Sequence, residues 1–321
     1  MNIKGLRIFR MIVSEGSLAA ADAAMNISPP AASRLISLLE AETKLQLFHR
    51  TRRRLVLTKQ GEEFYQEAAH ILASFEEIPR IAASIRNKTH EHLRLVTAPR
   101  IGQGLVSPAV ALMHQRHPDL RCSIDMHSRY GIETPMGTRR YDLGIISLPI
   151  SSTLVEIENQ PLFRVRAEAL MPEDHPLARK SEITAEDLAS VNLLGLWPNQ
   201  QWRQQMDDFF RSGGVKPEYA IETRSSLMAC QLVRDGAGVT LLDRVCARSI
   251  DLNGIVMRPL VPERWIVFGY IYQSNHELTR NANEFITCLK DVIEAIRNEN
   301  DDYKQAIIPM WDEPEQLKLQ S

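Results

Sequence analysis

The stretch SLAAADAAMNISPPAASRLISLLEAETKLQLFHRTRRRLVLTKQG, Ser17–Gly61, decides how the rest of the chain is read. Leu18–Met25 is a run of small, mostly apolar residues suited to close helix packing, and Ser17 stands where it can cap that helix. Asn26 follows where a tight turn is needed, and Asn tolerates left-handed backbone better than most residues. Ser28-Pro29-Pro30 reads as a second helix start: Ser is a favoured N-cap, and proline at the first helical position gives up an N–H that has no partner there anyway. Ala31, Ala32, Leu35, Ile36 and Leu39 carry that helix on. Two short helices joined by a tight turn form a helix-turn-helix. Leu55-Val56-Leu57 is strand-like, and the Arg50–Arg54 cluster before it resembles the tip of a β-wing, whose arginines reach phosphates or a minor groove.

Upstream, Ile3, Leu6, Phe9, Ile12 and Val13 recur at helical spacing, and Gly16 ends that helix. Charge separates this head from the body. Residues 1–60 hold ten Lys/Arg and four acids, net +6, while the whole chain is −2, so the remainder is −8. A basic head on an acidic body points to a polyanion-binding module joined to something else.

Downstream, Phe64, Ala68, Ile71, Leu72, Phe75, Ile78, Ala82 and Ile85 predict a helix over 60–86, with a kink or break at Pro79. A second copy of the same helix is the natural cover for so long an apolar stripe. From residue 93 the texture alternates. Strands are expected at 93–97, 122–126, 143–148, 167–171, 193–196, 219–222, 239–242 and 267–272. Helices are expected at 107–116, 184–190, 202–212, 226–235 and 279–297. This predicts an α/β body with a mostly parallel sheet, long enough for two lobes with a cleft between them. Residues 299–321 read as a loosely held polar tail.

At 321 residues, with 44% hydrophobic and 24% charged side chains, two or three packed domains are expected and wholesale disorder is excluded. No apolar run reaches the roughly 18 residues that span a bilayer, and the first residues lack the pattern of a signal peptide. Cys122, Cys230, Cys246 and Cys288 lie far apart, which speaks against a zinc site or a disulfide scaffold and fits a reduced cytoplasm. An enzyme is the rival class, but G-x-S-x-G, P-loop and H-E-x-x-H motifs are absent from the sequence. His90-Glu91-His92 lacks a third ligand, and Gly236-x-Gly238 lacks the third glycine of a dinucleotide fingerprint. No metal or cofactor is expected.

As a set, Ser28-Pro30-Ala31-Ser33-Arg34, Leu45-Leu47-Phe48-Arg50 and Leu57-Thr58-Gly61 resemble the signature of LysR-type transcriptional regulators. The likeness continues through Tyr141–Ile145, through His175-Pro176-Leu177-Ala178 and through Leu232–Val239, and stops near residue 298. Two positions depart from the family pattern. Pro29 stands where the family usually has Gln, and Arg100 stands where it often has a Ser or Thr that binds effector.

The resemblance implies a winged helix-turn-helix over 1–58 and a dimerising linker helix over 59–89. It also implies an effector domain over 90–298 folded like a type 2 periplasmic binding protein. Lobe I of that domain is expected at about 90–164 and 269–298, and lobe II at about 165–268. It implies a homodimer or homotetramer on partly palindromic promoter DNA, a small-molecule effector, RNA polymerase as partner and no membrane.

DNA contact is assigned to Ser17, Ser28, Pro29, Pro30, Ala31, Ser33, Arg34, Arg50, Arg52, Arg53 and Arg54. Ligands of open α/β sheets bind beyond the carboxyl ends of strands. That rule assigns Thr97, Ala98, Pro99, Arg100, Ile101, Ser128, Tyr130 and Ser147 to one wall of an effector cleft. Trp197, Trp202, Thr223, Ser225 and Ser226 form the other. Arg100 is expected to clamp a carboxylate, the alternative being that it points to solvent or pairs with an acid. Leu232–Val239 looks most like regulators of the lysine and opine branch, so an amino acid or amino-acid derivative is the expected effector, with another small carboxylate as the alternative.

Overall fold

The computed structural model describes residues 3–15, 27–50, 55–65, 68, 92–127, 132, 136, 140–150, 157–198, 200–274 and 277–311. The chain divides into two compact units, Met1–Thr89 with Thr138–Arg140, and His90–Gly137 with Tyr141–Ser321.

In the first unit α1 (Ile3–Glu15) packs on α2 (Pro29–Thr43). Leu6, Ile8, Phe9 and Ile12 face Ala32, Ile36 and Leu39 in one core. Phe9 is its centre, with ring centroids 5.5 Å from Phe48, 5.5 Å from Phe64 and 6.1 Å from Tyr65. Lys44 ends α2 in left-handed backbone, φ 56°. The Glu40 carboxylate accepts from the Leu47 and Phe48 N–H groups at 2.8 and 3.1 Å, which pins the wing to α2. The wing pairs β1 (Phe48–Arg50) antiparallel with β2 (Leu55–Leu57), Phe48 opposite Leu57.

Thr58 explains the last part of the signature. Its hydroxyl donates to the Gln46 carbonyl at 2.5 Å and accepts from the Gly61 N–H at 2.9 Å, capping the helical residues 59–65. Gly61 packs so tightly that a Cβ there would lie 2.2 Å from the Leu47 carbonyl oxygen. The rest of the linker stripe, Ala68 apart, lies outside the described residues.

The second unit is built on β3 (His92–Thr97), a helical turn at Pro99–Ile101, a π-helical turn at Gly102–Val106 and α3 (Ser107–Arg116). β4 (Arg121–Met126), β5 (Leu143–Leu148), β6 (Ile157–Pro172), β7 (Leu193–Leu196), α4 (Gln201–Ser212) and β8 (Tyr219–Thr223) follow. The chain closes with α5 (Ser226–Arg234), β9 (Val239–Asp243), α6 (Arg244–Ala247), β10 (Ile255–Pro259), β11 (Trp265–Gln273), α7 (Arg280–Arg297), α8 (Asp301–Ala306) and β12 (Ile307–Pro309).

The strand order is β4-β3-β5-β11-β6-β9-β7-β8, with β10 and β12 also on β6. β6 belongs to both lobes. Residues 157–166 pair with β11 beside β5 and β3, and 167–170 pair with β9 beside β7 and β8. Phe163 of β6 stacks on Phe268 of β11 at 5.5 Å, and α7 covers α3.

The expected helices and strands of the body largely form, but three expectations are corrected. The sheet is mixed: β3–β4, β3–β5, β7–β8 and β7–β9 are parallel, whereas every pairing of β6 and β11 is antiparallel. The strand expected at 167–171 runs from Ile157, because its polar first half pairs with β11 along its whole length. Residues 300–309 are no loose tail: the Asn300 side chain caps α8, β12 pairs with Phe163–Val165, and Ala306 and Ile307 are buried.

Candidate functional site

The first unit presents α2 outward. Ser28, Pro30, Ala31 and Arg34 are exposed, Ser33 is half-buried, and Ala32 and Ile36 face the core. Ser28 occupies the N-cap with extended backbone, φ −78° and ψ 149°, and its carbonyl accepts from the Ala31 and Ala32 N–H groups. Among the described residues the Ser28 hydroxyl makes no capping bond to α2. Arg50 ends β1 and pairs with Leu55, the first residue of β2. Ser17 and Arg52–Arg54 lie outside the described residues, as do Ser128 and Tyr130 of the second unit.

In the second unit the structure brings Arg100, Ser147 and Trp202 together between the lobes. Arg100 follows β3 of lobe I. Its Nε donates at 2.9 Å to Oδ2 of Asp243, the last residue of β9 in lobe II, and its Nη2 makes a close bond to the same oxygen. Asp243 is fully buried, and its Oδ1 accepts from the Cys246 N–H at 2.8 Å to cap α6. The guanidinium lies over the Trp202 ring, 3.4 Å from its centroid, and 5.7 Å from that of Phe268. Trp202 is fixed by its Nε1–H donating to the Leu241 carbonyl at 2.8 Å. Across the same seam the Ser147 hydroxyl donates to Gln201 Oε1 at 3.3 Å.

Arg100 does not point to solvent: it pairs with an acid of the chain itself. Two of its five N–H groups go to Asp243, and Nη1 bonds to none of the described residues. Three of its N–H groups thus have no acceptor among the described residues.

Other expected wall residues separate from this cluster. Thr97 and Ile101 are fully buried, and the Thr97 hydroxyl donates to the Ile145 carbonyl at 3.2 Å, so both serve the core at the strand end. Ala98 and Pro99 cap and open the helical turn that carries Arg100. Trp197 is exposed under the Arg224 guanidinium, 4.1 Å from its centroid. The Thr223 hydroxyl accepts from the Ser225 N–H at 3.2 Å, and the Ser225 hydroxyl caps α5 by accepting from the Met228 N–H at 3.2 Å. Ser226 is the first residue of that helix.

Asp243, Gln201 and Phe268 were missed. Asp243 had a signal: Val239-Thr240-Leu241-Leu242-Asp243 ends an apolar strand on a favoured cap residue. Its partner stands 143 residues away, and nothing local pairs them.

Cys230 and Cys246 are buried side by side. The Cys246 thiol is pushed well up by its hydrogen bond with Cys230, by burial and by the Asp243 charge, so it stays a thiol at neutral pH and is a poor redox centre. Among the described residues no group of His, Cys, Asp or Glu could hold a metal ion, and no helix is long and apolar enough to cross a membrane.

Comparison with known proteins matches two family models. The bacterial regulatory helix-turn-helix protein, lysR family, covers residues 3–62, and the LysR substrate binding domain covers residues 86–294. The chain is similar to the transcriptional activator protein LysR of Escherichia coli, 27% identical over 258 residues, 80% of this chain and 82% of that one. It is similar to the regulatory protein NocR of Agrobacterium fabrum, 28% identical over 293 residues, 91% of this chain and 96% of that one. The solved structure of CbnR, a LysR family transcriptional regulator, superimposes with a TM-score of 0.65 at 16% identity, covering 91% of this chain and 99% of that one.

Proposed function

Because the chain belongs to the LysR family of bacterial transcriptional regulators, we propose that it binds promoter DNA through α2 and the wing and is controlled by a small carboxylate between the lobes of its effector-binding domain. The observation that carries the DNA reading is the exposed row Ser28, Pro30, Ala31 and Arg34 on a helix whose other face is core. In this reading α2 lies in the major groove and the arginines of the hairpin turn reach phosphates or the minor groove.

Arg34→Ala is expected to cost about 1–3 kcal/mol of operator affinity and to relax sequence preference. Changing Arg52, Arg53 or Arg54 is expected to weaken all sequences alike and to lower the salt slope by roughly one per charge. Gel retardation of promoter DNA over a salt series measures both. An Arg34→Ala protein with unchanged affinity and preference would overturn the assignment of α2. Pairing of two linker helices sets two heads on half-sites, so a near-palindromic operator goes with this reading. A tetramer and contact with RNA polymerase are further parts of it.

The effector reading rests on the Arg100 donors that Asp243 leaves over, beside Ser147 and Trp202. An amino acid or amino-acid derivative is the favoured class, from the likeness of Leu232–Val239 to regulators of the lysine and opine branch. The Trp202 and Phe268 rings beside the guanidinium favour an aromatic carboxylate as the second reading. A thermal-shift screen of amino acids and of aromatic and dicarboxylic acids separates them. Binding at 100 times Kd adds about 2.7 kcal/mol to the native state. A best hit that stabilises Arg100→Ala as strongly as the parent, or that carries no acidic group, would overturn the carboxylate reading.

A further inference from the structure

We propose that Arg244, held by residues 299–309, is a positioning residue for the Arg100–Asp243 pair. The family match ends at residue 294, so the segment that does the holding lies beyond it. That segment is built into the junction of the lobes. β12 takes one edge of β6 at Phe163–Val165 while β11 takes the other, and the Met310 N–H donates to the Leu162 carbonyl at 2.8 Å. The Arg297 Nε donates to the Ile307 carbonyl at 3.0 Å and ties β12 back to α7.

From this anchorage the segment reaches α6. Asp302 meets Arg244 at 3.3 Å, Glu299 meets Arg248 at 2.5 Å, and the Tyr303 ring lies 5.5 and 5.4 Å from their guanidinium carbons. On its other side Arg244 Nη2 sits 2.8 Å from Oε2 of the fully buried Glu168 on β6. Arg244 Nε is buried with no hydrogen-bond partner. The guanidinium is thus placed by two acids, one fixed in the sheet and one supplied by the C-terminal segment.

Arg244 is bonded directly to Asp243 along the chain. One residue faces the effector arginine and the next faces the C-terminal segment. Asp243 also caps the helix that Arg244 begins, so the two side chains cannot shift independently. A displacement of either is transmitted as a movement of the β9–α6 corner. Drawing Arg100 toward a bound carboxylate loads that corner, and the C-terminal segment sets how far it yields.

The proposal rests on the reading of Arg100 as the effector's partner. Its test needs no effector: amide hydrogen exchange of the intact protein, followed by mass spectrometry. Glu299→Gln combined with Asp302→Asn alters two exposed acids and leaves the apolar contacts of β12 intact. The double variant is expected to speed exchange about fivefold in peptides covering 239–248 and 99–106, with α1 and α2 unchanged. Asp243→Asn keeps an oxygen for the α6 cap and is expected to speed exchange in 300–309 by a similar factor. Restoring the acid in longer form, Asp302→Glu with Glu299 intact, is expected to return the parent rates at 239–248. Changes confined to 299–310 in the double variant, or an Asp243→Asn protein with parent rates at 300–309, would overturn the coupling. Either result leaves the cleft reading standing, whereas an effector indifferent to Arg100→Ala strikes the cleft reading alone.

Discussion

Asp243→Ala is expected to destabilise the effector-binding domain by about 3–5 kcal/mol, the cost of removing one partner of a buried ion pair and leaving the other charge uncompensated. Arg100 cannot turn outward to water: only 13% of its side chain is exposed and its guanidinium lies against Trp202. The Cys246 N–H loses its acceptor in the same variant, which accounts for about 1 kcal/mol of the total. Asp243→Asn retains an oxygen for that cap and should lose the ionic part alone. The Arg100→Ala, Asp243→Ala double variant should recover stability relative to Asp243→Ala, because the stranded charge is gone with its partner. All four tryptophans, Trp197, Trp202, Trp265 and Trp311, lie in the second unit, so urea unfolding followed by tryptophan fluorescence reports this domain. An Asp243→Ala midpoint corresponding to less than about 1 kcal/mol would mean that the pair is solvated and not a fixed part of the seam.

Gly104→Ala is expected to cost about 3 kcal/mol, at the upper end of ordinary overpacking. A Cβ at Gly104 would lie 1.9 Å from the Val245 carbonyl oxygen and 2.9 Å from its carbon. The obstacle is backbone, at the centre of α6, so no rotamer change relieves it. The π-helical turn of lobe I touches lobe II at this point, two residues from the Asp243 that holds Arg100. The methyl group therefore acts as a wedge beside the site as well as a strain in the core. Gly102→Ala is the milder comparison: its Cβ would meet the Met126 sulfur at 3.0 Å, the end of a flexible and half-exposed side chain, and the methyl of the buried Thr97 at 3.2 Å, neither of them backbone. A Gly104→Ala protein as stable as Gly102→Ala would show that the lobes part at this contact without cost.

The DNA-binding unit was legible because its signals are local. Helix caps, a 3.6-residue apolar spacing and the Leu57-Thr58-Gly61 turn all act within a few residues of themselves, and Thr58 and Gly61 have the contacts their identities suggest. In the body, strands with short apolar runs such as Leu143–Leu148 and Leu193–Leu196 were legible for the same reason.

The first half of β6 was not. Glu158-Asn159-Gln160-Pro161 has the composition of a turn, and only the partner strand β11 holds it extended. Glu168 carried a usable signal: a charge inside Ala167–Met171 must be paired if that run is buried, and Arg166 and Arg244 pair it. The seam around Arg100 was half legible. Arg100 and Trp202 follow from the strand-end rule, but what faces them depends on which distant strand ends the topology brings together.

β6 also has an evolutionary consequence. Phe163, Val165, Ala167, Ala169 and Met171 are all buried at two-residue spacing, from the part of β6 paired with β11 into the part paired with β9, and over 167–171 the residues between them are buried as well. Inserting or deleting one residue between Arg166 and Ala167 would invert every side chain on one side of the change, turning the exposed Arg164 into the core or carrying the buried Glu168 away from Arg166 and Arg244. Lineages descending from this protein can exchange residues along β6 one at a time. They cannot lengthen or shorten it by one, so the spacing between the lobes is inherited as a fixed length while the loops around it remain free to grow.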